Sequence, residues 1–398
     1  MPSLLSRTLA APNGTHELAA LVSAILTDPG RPAPERLTWH APGPTGLGTS
    51  GLLTHRPTVP NQSTGATDDI VRDAPRARPI TNGKAPALYC PPAVRDDPAL
   101  GDLVNERLIE WAEGIGIYPG RTDMLRKANF GRLMMLGHPE TDDPDRLLAA
   151  AKCGLAEWSV DDHIVDAEVE EPQYEVLGQR LAICHSTIDQ AHLPRRYAPQ
   201  LEEHIQRDPV AKAFRSALDG LAGYASWNQV RRLRHELAIM FVAYGQEGMW
   251  HTSGHRPPVW EYLMHRHENS FIPCMVLVDA IAGYEVPQAE FADPAVRRAF
   301  TLAGTATVLM NDLYSMGKED PSDFSLPMLI ATEEGCSLEE AVEQSVAVHD
   351  ELMHTFEAEA SALALTGSPE LRRFLAGTWA WVGGNREWHA GSARYQTD

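Results

Sequence analysis

No run of 18 apolar residues occurs anywhere in the 398-residue chain, so no helical membrane span is expected. The N-terminus lacks a charged stretch followed by an apolar core, so no secretory signal is expected. The five cysteines are odd in number and include no Cys-x-x-Cys pair, which points to reduced thiols in a cytoplasmic protein rather than a disulfide framework. The chain has no Gly-x-x-x-x-Gly-Lys phosphate loop, and no dinucleotide fingerprint in a strand-to-helix setting. Alternating period-two runs bounded by turns are also missing, so no sheet is expected. Basic residues are few: 34 Lys and Arg stand against 54 Asp and Glu, a net charge of −20. A body this acidic repels nucleic acid and anionic membranes. It repels a phosphorylated ligand too, which would have to be held by metal ions and a few placed cations.

What is present is uneven. Twelve of the thirty prolines precede Cys90, and residues 43–51 form a Gly/Ser/Thr/Pro run with neither helical nor strand period. Residues 1–88 carry eight basic and six acidic residues, while the remainder carries 26 basic and 48 acidic. That break divides a disordered Pro/Gly-rich segment, 1–88, from a single large domain, 89–398. One short helix over residues 17–26 is the most that the first segment suggests. From Asp97 onward the pattern is helical nearly throughout. A first helix ends at Tyr118-Pro-Gly120, a second spans 124–135, and Asp143-Pro144 opens a third. Further helices are expected over 174–191, 210–224, 259–267, 271–284, 294–316, 338–365 and 371–390. Residues 233–250 are apolar almost all round, as in a fully buried helix. The expected architecture is an all-α bundle of many helices around a central cavity.

Two stretches carry chemistry. The apolar helix through residues 299–310 ends in Asn311-Asp-Leu-Tyr-Ser-Met-Gly-Lys-Glu319. Residues four apart lie on one helix face, so Asn311, Ser315 and Glu319 would present an amide oxygen, a hydroxyl and a carboxylate together. Three hard oxygen donors suit Mg²⁺, which keeps waters that a phosphate can replace. Lys318 stands beside them. The second stretch, Trp158-Ser-Val-Asp161-Asp162-His-Ile-Val-Asp166-Ala-Glu168, follows the apolar run 147–155. Its crowded carboxylates repel one another until a divalent ion bridges them. Either stretch alone also reads as a solvated helix face. The Asp142-Asp143-Pro-Asp145 run reads as a helix start. His251 and His255, four apart, lack the Glu and the third ligand that a zinc site needs.

Together these residues resemble the class I terpene synthases. Asp161, Asp162 and Asp166 are similar to the family's aspartate-rich motif, and Asn311 to Glu319 to its Asn-Asp-x-x-Ser-x-x-x-Glu motif. Arg394-Tyr395 resembles the C-terminal Arg-Tyr pair, with Trp388 upstream. Arg266, 45 residues before Asn311, stands about where the family keeps a diphosphate-sensing arginine. The resemblance runs from about residue 89 to the C-terminus. The segments 89–97 and 128–133 and the Pro-rich N-terminus look most similar to the bacterial 2-methylisoborneol synthase group. No Asp-x-Asp-Asp occurs, the motif of protonation-initiated class II cyclisation. A chain-elongating prenyltransferase would show two Asp-Asp-x-x-Asp motifs and no Asn-Ser-Glu face.

The resemblance implies three Mg²⁺ ions on one diphosphate. Asp161 would be the main carboxylate ligand, Asp162 and Asp166 would be weaker ligands or orienters, and Asn311, Ser315 and Glu319 would chelate a separate ion. Arg266, Lys318, Arg394 and Tyr395 would hold the free diphosphate oxygens. Aromatic faces stabilise a carbocation without attacking it. Trp158 is the first choice for that wall, followed by Phe241, Tyr314, Trp381 and Trp388. The implied substrate is 2-methylgeranyl diphosphate, supplied by a separate methyltransferase, and the implied product is 2-methylisoborneol. Deprotonation would give 2-methylenebornane, and geranyl diphosphate would give a monoterpene. A homodimer is compatible with the resemblance. The sequence departs from these relatives at His163-Ile164-Val165, where they carry Tyr-Tyr-Cys, and at Asn269-Ser270.

Overall fold

The computed structural model describes residues 87–165, 173–316 and 324–393. All of them belong to the unit Val71–Asp398. The helix expected over residues 17–26 and nearly all of the Pro-rich segment lie outside the described residues. Among the described residues every regular element is a helix.

Helix α1 (Pro98–Ile115) starts where Asp97 accepts a hydrogen bond from the Leu100 amide at 3.1 Å and Pro98 fills the first position. It stops at Gly116, whose left-handed φ of 83° favours a residue without a Cβ. The single helix expected over 124–135 is two, α2 (Thr122–Ala128) and α3 (Phe130–Gly137). Asn129 separates them in the left-handed region at φ 50°, and its side chain accepts from the Arg132 amide at 3.0 Å. Asparagine tolerates that conformation and can cap the next helix from it. Helix α4 (Pro144–Val160) begins as expected, with Asp143 accepting from the Asp145 amide at 2.9 Å.

A 3₁₀ turn, Tyr174–Val176, leads into α5 (Leu177–Ile188), followed by α6 (Ala198–Arg207) and α7 (Pro209–Leu221). Helix α8 (Trp227–Ser253) opens on a capping box made by Ser226 and Gln229. It is not buried all round as its sequence suggested. Val242 and Met249 are 65% and 63% exposed. Seven residues apart, they share one stripe of the helix, which faces solvent. Helix α9 (Val259–Glu268) precedes a second departure. Residues 271–284 form two single-turn helices, α10 (Ile272–Met275) and α11 (Val278–Ile281), rather than one. The segment is wedged against α4, α8, α13 and α16, so packing decides its path. Helices α12 (Gln288–Phe291), α13 (Pro294–Ser315), α14 (Leu326–Glu334), α15 (Leu338–Thr366) and α16 (Pro369–Gly391) complete the described chain.

Helix α13 is central. It packs against α9, α10, α14, α15 and α16, and most of its side chains are buried. Each fully buried Phe or Leu contributes about 1.5–3 kcal/mol of hydrophobic stabilisation. On the other side, α4 packs against α1, α3 and α7. The α1–α3 contact is close enough that a Cβ on Gly131 would sit 2.3 Å from the Asn105 amide nitrogen. A buried ion pair, Arg232 Nη1 to Asp279 Oδ2 at 2.8 Å, ties α8 to α11. These contacts hold the C-terminal ends of α4 and α13, where the two oxygen-rich stretches lie.

Candidate active site

At the end of α4 the backbone widens into a π-type turn, Asp161–Val165. Hydrogen bonds there run to the fifth residue, which widens the turn that carries Asp161 and Asp162. Asp161 keeps partial exposure, whereas Asp162 is buried and accepts from the Tyr118 hydroxyl at 2.7 Å. His163 is buried as well. Its Nε2 meets the Ile117 carbonyl, which only accepts, so that nitrogen carries the proton. Arg180 donates to the His163 carbonyl at 3.2 Å. The side chains of His163, Ile164 and Val165 are all turned into the core.

At the end of α13, Asn311 is partly exposed and Ser315 is buried, one helical turn apart. Asp312, between them, is fully buried. It accepts from Arg266 Nη2 at 2.6 Å, from the Tyr262 hydroxyl at 2.9 Å and from the Leu326 amide at 3.0 Å. Arg266 Nε in turn donates to the Tyr262 oxygen at 2.8 Å. Arg266 therefore lies beside the Asn311–Ser315 turn, held from below by Asp312. Ser270 is buried with its Oγ 3.4 Å from the Ile272 amide. Nearby, burial pushes the Glu247 carboxyl up, but the hydrogen bond and charge of His265 and the charges of Arg266 and His251 outweigh it and leave it lowered.

Aromatic rings join the two helix ends. Trp158 lies 5.3 Å from Phe271, 6.0 Å from Trp388 and 4.8 Å from Phe130, centroid to centroid. Phe271 and Trp388 both contact His389, and His389 Nε2 lies 3.1 Å from Asn311 Nδ2. Tyr314 packs 5.4 Å from His389. Within this group Trp158 and Tyr314 keep partial exposure. Trp381 and Trp388 are 0% and 1% exposed, so protein encloses them; Trp388 backs Trp158, and Trp381 packs 5.6 Å from the buried Phe271. The Trp388 indole donates to the Ala128 carbonyl at 2.7 Å. Phe241 stands apart, packed with Phe214, Tyr244 and His185.

Asp166, Lys318, Glu319, Arg394 and Tyr395 lie outside the described residues. Among the described residues no three His, Cys, Asp or Glu side chains form a metal-binding group. His251 stacks on Tyr174 at 4.8 Å, and His255 pairs with Glu261 at 3.0 Å. Several residues escaped the sequence reading. Tyr262 precedes Arg266 by one turn, a spacing that could have flagged it. Tyr118, Phe271 and His389 carry no such signal, because their partners are far away in the chain.

Residues 152–355 match the family model "Terpene synthase family 2, C-terminal metal binding". The chain is 36% identical to 2-methylisoborneol synthase of Streptomyces griseus over 370 residues, 90% of this chain and 81% of the relative. It is 38% identical to 2-methylisoborneol synthase of Streptomyces ambofaciens over 356 residues, 87% of this chain and 78% of the relative.

The chain belongs to the terpene synthase family.

The fold agrees. The crystal structure of 2-methylisoborneol synthase from Streptomyces coelicolor A3(2), in complex with Mg²⁺ and 2-fluoroneryl diphosphate, superposes with a TM-score of 0.74 at 36% identity. The match covers 79% of this chain and 98% of that one. This terpene synthase is an enzyme of class I, with the all-α architecture its sequence implied. No helix among its described residues is long and apolar enough to cross a membrane.

Proposed function

We propose that the chain ionises and cyclises 2-methylgeranyl diphosphate to 2-methylisoborneol in a Mg²⁺-dependent reaction that releases diphosphate. The observation that supports this reading is the aromatic group running from Trp158, one turn before Asp161, to His389 beside Asn311. It connects the two oxygen-rich helix ends through rings suited to a cation. The donor set fits the metal: Asp161, Asp162, Asn311 and Ser315 offer a hard oxygen each, and Asp166 and Glu319 would add two carboxylates. When bound, Mg²⁺ would neutralise the charge that develops on the departing diphosphate.

The chain's own groups do the rest. Arg266, fixed by Asp312 and Tyr262, offers a preplaced guanidinium to a diphosphate oxygen, joined by Lys318, Arg394 and Tyr395. Asp162, bonded to Tyr118, orients the turn that carries the more exposed Asp161. Trp158 and Tyr314 present partly exposed faces to the carbocation, and the buried rings behind them exclude water. The C11 substrate rests on the relatives, named 2-methylisoborneol synthases in each of these comparisons.

Incubation with Mg²⁺ and either geranyl or 2-methylgeranyl diphosphate, read by gas chromatography with mass detection, tests the assignment. The expected result is 2-methylisoborneol from the C11 substrate at far higher turnover than any product from the C10 one. A main product of 2-methylenebornane, or a preference for geranyl diphosphate, would replace the product assignment. No turnover of either substrate would overturn the reading.

A further inference from the structure

We propose that His389 is a positioning residue that fixes which end of the Asn311 amide faces the metal. The proposal rests on the reading that Asn311 donates its oxygen to Mg²⁺. His389 lies on α16 and is buried. Its Nδ1 is 2.9 Å from the Asn385 carbonyl oxygen, one turn earlier on the same helix. A carbonyl oxygen only accepts, so Nδ1 bears the proton, and the neutral ring then has Nε2 as an acceptor. That Nε2 lies 3.1 Å from Nδ2 of Asn311. Only the amide nitrogen can donate there, because the amide oxygen would set two acceptors against each other. The flip of Asn311 is therefore dictated, and its Oδ1 is turned away from the ring.

The ring cannot swing to accept the other flip. Phe271 meets it edge-on at 5.8 Å, Trp388 at 4.7 Å, and Tyr314 packs at 5.4 Å. Asn385 is itself anchored, with Nδ2 3.5 Å from the Thr307 carbonyl on α13. Asn385 Nδ2 thus ties α16 to α13 one turn before Asn311, while the carbonyl that fixes the His389 tautomer belongs to the Asn385 main chain. Without His389 the amide loses the contact that rejects the flip pointing an NH₂ at a cation.

The test is calorimetric titration of Mg²⁺ into the full chain with inorganic diphosphate, which reads binding without turnover, alongside melting temperature. A Gln side chain can place its oxygen near the Nε2 position, whereas an Asn side chain reaches only the Nδ1 position. His389→Gln should keep near-parental Mg²⁺ affinity. His389→Asn and His389→Leu should each weaken it about 10-fold, the low end for removing a partner of a metal ligand. In an Asn311→Ala background, His389→Leu should cost nothing further. Equal Mg²⁺ affinity in the Gln and Asn variants would overturn the proposal, even if His389→Leu fails to fold. An undiminished loss from His389→Leu in the Asn311→Ala background would also overturn it. If Asn311→Ala alone leaves Mg²⁺ affinity intact, the reading of that helix face fails, and the proposal fails with it.

Discussion

Arg266 Nη2 lies 2.6 Å from Asp312 Oδ1, and Asp312 directly follows Asn311 in α13. The cation proposed to meet the diphosphate is thus anchored to the helix proposed to hold the metal. Asp312 is fully buried and also accepts from Tyr262 and Leu326, so its charge is met by three donors.

Asp312→Ala should therefore act on stability and on turnover. Removing one partner of a buried ion pair costs about 3–5 kcal/mol, and Arg266 is slightly exposed, so about 3 kcal/mol is expected. Asp312→Asn keeps the shape but loses the charge that fixes Arg266. Its turnover should fall at least about 10-fold, with a rise in KM. Thermal melts and steady-state kinetics on both variants check this.

Glu157 gives a pH dependence. Burial pushes its carboxyl up to about 8 from the ordinary 4.5, and the hydrogen bond from the Cys274 thiol at 3.1 Å pulls the other way. The folded state therefore holds a proton that the unfolded state has lost between about pH 4.5 and 8. A state that binds more protons is disfavoured as pH rises, so this group lowers stability across that window. Glu157→Gln, which cannot ionise, should melt higher than the parent at pH 8, with the gap closing towards pH 4.5. A pH series of thermal melts reads the difference.

Glu319→Gln removes a carboxylate from the proposed donor set but keeps side-chain size. A neutral amide is a much weaker ligand for a hard ion, so turnover should fall at least about 100-fold, roughly 2.7 kcal/mol in transition-state stabilisation. Melting temperature without metal should hold or rise. A solvated surface Glu would leave both unchanged.

The helix starts were the most legible part of the fold, because a start is a local event. Asp143-Pro144 caps α4 through atoms two residues apart, and nothing distant is needed. The break at Asn129 and the split of α10 from α11 were not legible, since apolar periodicity continues through both. There the left-handed Asn129 and the packing of 272–281 against its neighbours decide. At the site, the oxygen-bearing residues stood out by type and spacing. Their supports did not, because Tyr118–Asp162, Arg266–Asp312 and Asn311–His389 join residues 44 to 78 positions apart.

The central claim is that metal held at the ends of α4 and α13 drives departure of the diphosphate. Diphosphate release from 2-methylgeranyl diphosphate, measured with saturating Mg²⁺ and again after complete removal of metal by EDTA, tests it most directly. The account predicts steady release with Mg²⁺, none after chelation, and recovery on adding Mg²⁺ back. Release that continues undiminished in the metal-free enzyme would contradict it.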